Sequence, residues 1–139
     1  MDAVLLITLQ REKAHRFLQE ADDMIQQQRW SLAANRLYYA CYHIVHAAFV
    51  TRGIATKTHD GTLTELGRNF VLTGQLDKKH SRFFARMIQL RIKADYNSIA
   101  EVTESEVLEM APLSHDFVSA VESLINSNSV NPKPDLPMG

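Results

Sequence analysis

The amino-acid sequence predicts an all-α protein, an up-and-down bundle of five helices. Helix breakers are scarce. Five glycines and four prolines stand in 139 residues, and three of the prolines (Pro132, Pro134 and Pro137) cluster at the C-terminal end. Between the breaks, apolar residues recur at helical spacing. The breaks themselves are short, which favours antiparallel neighbours.

The first helix is expected from about residue 3 to 28, carrying Leu6, Leu9, Phe17, Leu18, Ala21 and Ile25 at mostly helical spacing. Polar residues 26–29 lead into a second helix that starts at Trp30 and Ser31 and continues to about Thr51. Gly53 follows as its C-terminal cap. Thr58 is placed to cap a third helix, which ends near Thr73 with Gly74 behind it. A fourth covers about Asp77 to Asp95. The fifth begins at the capping box formed by Thr103 and Glu106 and ends near Ile125, with a kink or break expected at Pro112. Residues 1–126 thus read as one domain. Residues 127–139, SNSVNPKPDLPMG, read as a disordered tail.

A net charge of -1 argues against coating nucleic acid by bulk charge and leaves room only for a local basic patch. The single cysteine, Cys41, allows neither an internal disulfide nor a cysteine-based zinc cluster, which fits a reducing cytoplasm. The apolar run 4–9 is too short to span a bilayer and follows Asp2 rather than lysines, so neither a signal peptide nor a membrane partner is expected. There is no Gly-rich phosphate loop. The stretch Trp30–Ala40 has a tetratricopeptide flavour, but no second copy follows.

Two features depart from an ordinary bundle. On the second helix Asn35, Arg36, Tyr39, His43 and His46 share a stripe of roughly 100°, with no Lys or Glu among them. Hydrogen-bonding rings and one guanidinium suit a half-buried site better than a solvated face. On the fourth helix Arg91 projects from the apolar arc made by Phe83, Phe84, Met87, Ile88, Leu90 and Ala94, with Asp95 four residues on. A guanidinium there needs a partner. Asp95, disfavoured near a helix C-terminus, needs one as well. The pair is either a structural clamp or half of a site.

The spaced set R36-L-Y-Y-A40, K57-T-H59, V71-L-T-G74 and R91-I-K-A-D-Y96 resembles the HEPN domain family (higher eukaryotes and prokaryotes nucleotide-binding), in its small stand-alone prokaryotic branch, over roughly residues 8–125. The resemblance implies a helical bundle of four long helices plus a shorter one, a homodimer and no cofactor. It also implies a metal-independent endoribonuclease toxin of a toxin–antitoxin or defence module, acting on RNA or binding a nucleotide. The alternative it implies is a non-catalytic helical partner that docks a minimal nucleotidyltransferase. The family's ribonuclease motif places a His four to six residues after an Arg. Carried over, the Arg is Arg91 and the His position holds Tyr96, after an apolar Ile92 where a polar residue is usual.

Metal-free RNA cleavage needs a base for the 2′-hydroxyl, a donor for the leaving oxygen and a cation for the phosphorane. Arg91 supplies the cation. Tyr96 is a poor base and a usable donor, and His43, His46 or His59 could replace the missing imidazole. The expected catalytic residues are therefore Arg91, Tyr96 and His43. Asn35, Arg36, Tyr39, Lys57, His59 and Asp95 are expected to bind substrate. No metal site is expected: His43 and His46 could chelate with His59 or Asp60, but no carboxylate-backed ligand set is visible. Tyr38, Tyr39 and Tyr42 read either as packing residues or as base-stacking platforms. Arg82 and Arg86 read as surface charges, and Cys41 as a small core residue.

Overall fold

The computed structural model describes residues 2–96 and 101–130. Five α-helices follow in order: α1 (Ala3–Gln26), α2 (Trp30–Val50), α3 (His59–Leu66), α4 (Lys78–Tyr96) and α5 (Glu104–Val130). There is no strand among the described residues. The four long helices form the bundle and α3 is the shorter one, as the resemblance implies.

Side-chain caps fix the helix starts, at α3 and α5 as the sequence predicts. The Asp2 carboxylate accepts from the Val4 N–H at 3.1 Å and opens α1. Thr58 caps α3 by accepting from the Gly61 N–H at 2.8 Å. Asp77 accepts from the Lys79 N–H ahead of α4. At α5 the capping box closes both ways: Glu106 N–H donates to Thr103 Oγ1 at 3.1 Å, and Thr103 N–H to Glu106 Oε1 at 2.8 Å. Gly53 and Gly74 sit at φ +67° and +82°, left-handed conformations that favour glycine after a helix.

Three expectations are corrected. The third helix does not run as one α-helix to Thr73: it passes at Gly67 into a π-helical turn, Gly67–Val71. Asn69 there donates its amide to the Glu65 carbonyl, and Phe70 is buried, stacked on Phe49 at 6.2 Å. At Pro112, where a kink or break is expected, no break occurs, because α5 runs through it. Pro112 is exposed, so the carbonyl left without an N–H partner can be met by water. The helix also continues to Val130, about a turn beyond the expected end. The proline-rich residues from 131 on lie outside the described residues.

Side-chain pairs give the topology. Arg36 meets Glu20 and His43 meets Gln10, so α1 and α2 are antiparallel. Asn35 meets Asp95 and Tyr39 meets Arg91, so α2 and α4 are antiparallel as well. Arg11 and His15 on Glu122 tie α1 to α5, and Arg86 on Glu109 ties α4 to α5. Helix α2 is the hub, packed on α1, α4 and α5. Its buried Ala33, Ala34, Ala40, Ala47 and Ala48 let those neighbours approach closely. Through the centre runs an aromatic stack from α2 to α4 to α5: Tyr38 on Phe84 at 6.1 Å, and Phe84 on Phe117 at 5.6 Å. Each such pair contributes about 0.5–1.5 kcal/mol beyond area burial. The stack also holds Tyr38 where its hydroxyl reaches the edge of the core.

Candidate functional site

Arg91 lies where α2, α3 and α4 meet, with 16% of its side chain exposed. Its Nη2 donates to the Tyr39 hydroxyl at 3.1 Å. Its Nη1 lies 3.1 Å from His59 Nε2. Its Nε is 3.0 Å from Asp95 Oδ2, but the N–H is not aimed at that oxygen, so this contact is an ion pair without an aligned hydrogen bond. The guanidinium carbon also sits 5.7 Å from the Tyr38 ring centre and 5.8 Å from that of Tyr39. Burial works against the charge of Arg91, but the Tyr39 hydrogen bond, with Asp95 and Tyr38 behind it, raises its pKa overall. The side chain is firmly cationic.

His59 is the first residue of α3, positioned by the Thr58 cap just before it. A guanidinium can only donate, so the hydrogen bond from Arg91 requires a lone pair on Nε2. The proton must then sit on Nδ1, which donates to the Tyr38 hydroxyl at 2.5 Å. Burial first, and the Arg91 charge second, hold the His59 pKa below its ordinary value, with Asp60 opposing. The ring is therefore neutral near pH 7, in one defined tautomer, with its basic nitrogen facing Arg91.

Asp95 is held from the other side by Asn35, whose amide donates at 3.3 Å. Arg36 donates to the Asn35 carbonyl oxygen at 2.8 Å and pairs with Glu20 of α1 at 2.9 Å. The result is one polar chain: Glu20, Arg36, Asn35, Asp95, Arg91, His59, Tyr38.

Five of the predicted site residues, Arg91, Asp95, Asn35, Tyr39 and His59, thus meet directly, and Arg36 joins through Asn35. The other three stand apart. His43 lies one turn beyond Tyr39 and faces α1: its Nδ1 bonds Gln10 at 2.6 Å and its ring stacks on Phe17 at 5.4 Å. Burial, then Lys13, His46 and Arg16, push its pKa down to about 4. Tyr96 ends α4 with 71% exposure, five residues from Arg91 and so on another side of the helix. Lys57 is exposed beside His59 and makes no hydrogen bond or ion pair among the described residues. Sequence reasoning placed Tyr38 among packing or stacking residues and missed it as the anchor of His59. The signal was its place at the edge of the apolar arc, next to Tyr39. Glu20 carried no signal, since its role depends on which helix lies across from α2.

No group of three or more His, Cys, Asp or Glu that could hold a metal exists among the described residues. No helix among them is long and apolar enough to cross a membrane. What the cluster offers is a fixed guanidinium beside a neutral imidazole and a phenol, a set able to bind an anion and move a proton.

Comparison with known proteins agrees with the likeness seen in the motifs. A UPF0332 protein of Thermotoga maritima is 32% identical over 120 residues, covering 86% of this chain and 91% of that protein. A protein of Methanocaldococcus jannaschii named "Putative toxin MJ0142" is 24% identical over 119 residues, covering 86% and 81% respectively. A UPF0332 protein of Archaeoglobus fulgidus is 25% identical over 122 residues, covering 88% and 97%. The HEPN domain pattern itself matches residues 8–124, and the chain belongs to the HEPN domain family.

Proposed function

We propose that this HEPN protein is toxin-like and cleaves single-stranded RNA without a metal, using Arg91 and His59. One observation carries the reading: Arg91 Nη1 lies 3.1 Å from the basic nitrogen of a neutral imidazole. The expected motif position after Arg91 holds Tyr96, so His59 supplies from α3 the imidazole that α4 lacks. The names of two Methanocaldococcus jannaschii relatives, both "Putative toxin", support the toxin-like character.

The chemistry follows from the groups present. A phosphodiester drawn onto Arg91 competes with His59 for Nη1, because a phosphate is the stronger acceptor for a guanidinium. That competition releases Nε2. The freed imidazole takes the proton of the 2′-hydroxyl as its oxygen attacks phosphorus, and Arg91 balances the charge of the phosphorane. The bond from phosphorus to the 5′-oxygen breaks, and that oxygen receives a proton from the Tyr39 hydroxyl. The products are a 2′,3′-cyclic phosphate and a 5′-hydroxyl. Asp95 keeps Arg91 in register. Lys57, exposed beside His59, meets the next phosphate.

A second reading is favoured by a different observation: every nitrogen of Arg91 already has a protein neighbour. In that reading the cluster is a clamp, the protein binds RNA or a nucleotide without cleaving it, and it acts as the helical partner of a minimal nucleotidyltransferase. Cleavage of a mixed-sequence RNA in EDTA separates the two. Wild type is compared with Arg91→Ala and His59→Gln, their folding confirmed by circular dichroism. Cleavage by wild type and loss in both folded variants supports the ribonuclease. Cleavage retained in folded His59→Gln removes His59 from the mechanism, and RNA bound but uncut by wild type selects the binding partner.

A further inference from the structure

A second surface lies on a different side of α4 from Arg91. Helices α4 and α5 touch along Phe84, Met87, Ser114 and Phe117, and outside that line they part. The gap is a groove made of two adjoining hollows of about 610 and 290 Å3, joined at Arg86. Its floor is apolar: Phe83, Leu113 and Ala120 in the larger hollow, Leu90 and Met110 in the smaller. Leu113 is 38% exposed on that floor.

The two walls differ in charge. On the α4 side stand Lys79, Arg82 and Arg86; on the α5 side stand Glu109 and Asp116. Arg86 is already paired with Glu109 at 2.9 Å. Lys79 and Arg82 are exposed and make no salt bridge among the described residues. From Lys79 to Lys93 the groove follows about 21 Å of helix, the length of a three- to four-turn helical segment.

We propose that this groove docks an acidic amphipathic segment of a partner polypeptide, with its apolar side on Leu113 and Ala120 and its carboxylates on Lys79 and Arg82. A chain of phosphates is a poorer match, because Glu109 and Asp116 line the opposite wall. Phe83, only 7% exposed, offers no ring face for a base to stack on. An amphipathic helix laid in an apolar groove is a common recognition mode, and one-sided charge fixes its direction. The inference does not depend on the ribonuclease reading, since Lys79, Arg82 and Leu113 make no hydrogen bond or ion pair with Arg91 or His59.

The test pans random peptides of about 16 residues, long enough to fill the groove, against the immobilised full-length protein. Enriched sequences are expected to carry Asp or Glu beside Leu, Ile or Phe at helical spacing. A synthetic peptide of that consensus should bind wild type at least about tenfold more tightly than Arg82→Glu or Leu113→Asp, as expected for central groove contacts. Both substitutions fall at exposed positions, and circular dichroism checks the fold. Four results overturn the proposal: no consensus, a consensus without acidic residues, equal binding to wild type and variants, or a dimer that Leu113→Asp splits into monomers. The last would mean that a second copy covers the groove. An RNA oligonucleotide bound by wild type and lost in Arg82→Glu, with no peptide selected, would reassign the surface to nucleic acid.

Discussion

Acid should weaken this fold more than its carboxylates alone require, through His43. The ring stacks on Phe17 and meets the rings of Tyr39 and Tyr42, its Nδ1–H given to Gln10, with Lys13, His46 and Arg16 close enough to repel a second proton. Its pKa falls from 6.5 to about 4. The unfolded chain therefore binds the proton more readily than the fold does. Stability is complete above about pH 6.5, falls as pH drops, and stops falling on this account below about pH 4. At about 1.36 kcal/mol per unit the shift would be worth roughly 3 kcal/mol at most. The ring is only half-buried, and screening by solvent brings this to about 1–2 kcal/mol. His43→Phe keeps the stack on Phe17 and removes the titration. Urea unfolding of both proteins near pH 7.5 and near pH 4.5 measures the effect. Wild type should lose about 1–2 kcal/mol more than the variant across that interval. His46, His59 and His80 are lowered as well, but they are present in both proteins and cancel. Equal losses would refute the reasoning and place the His43 ring in contact with water.

Two further outcomes follow from the same structure. Cys41 is fully buried and its thiol is pushed up to about 12 by desolvation, so a thiol reagent should label it only through unfolding, at a rate that rises with urea in step with global opening. Rapid labelling of the native protein would contradict its placement. Thr58→Ala removes the cap that starts α3 and should cost about 1 kcal/mol in urea unfolding. Because His59 is the next residue, the proposed RNA cleavage should fall further than that stability loss accounts for, and unchanged cleavage would separate His59 from the proposed reaction.

The fold was legible because its signals are local. Thr58, Thr103 with Glu106, Gly53 and Gly74 each mark a helix end through a side chain or a conformation that needs no distant partner. The π-helical turn at Gly67–Val71 was not legible in the same way. An extra residue in a helical turn alters no composition, and what holds it here is the burial of Phe70 against Phe49 and the cation of Arg52 above that ring. Pro112 does not break α5, because the cost of a proline inside a helix depends on whether the freed carbonyl can reach water.

The candidate site was half legible, and the reason lies in the width of the α2 stripe. A helical wheel groups side chains by angle, and an arc of roughly 100° on one helix spans the seam between two neighbours. Asn35 and Tyr39 fall on the α4 side of that seam, while Arg36 and His43 fall on the α1 side. Sequence alone ranked His43 above His59, because His43 shares the stripe and His59 does not. The fold reverses that order, since α3 delivers His59 to Arg91 and α1 takes His43 away. The split also explains how so much polarity is kept at the edge of the core. Glu20 balances Arg36, Asp95 balances Arg91, and Asn35 bridges the two pairs with one donor and one acceptor, so the chain carries no net charge. Removing any one member strands a partner that is only partly hydrated, which makes the cluster a tie between α1, α2, α3 and α4 as well as a candidate site. A group that binds at Arg91 therefore acts on the packing of four helices at once, and stability measured with and without a bound anion should report occupancy of the site directly.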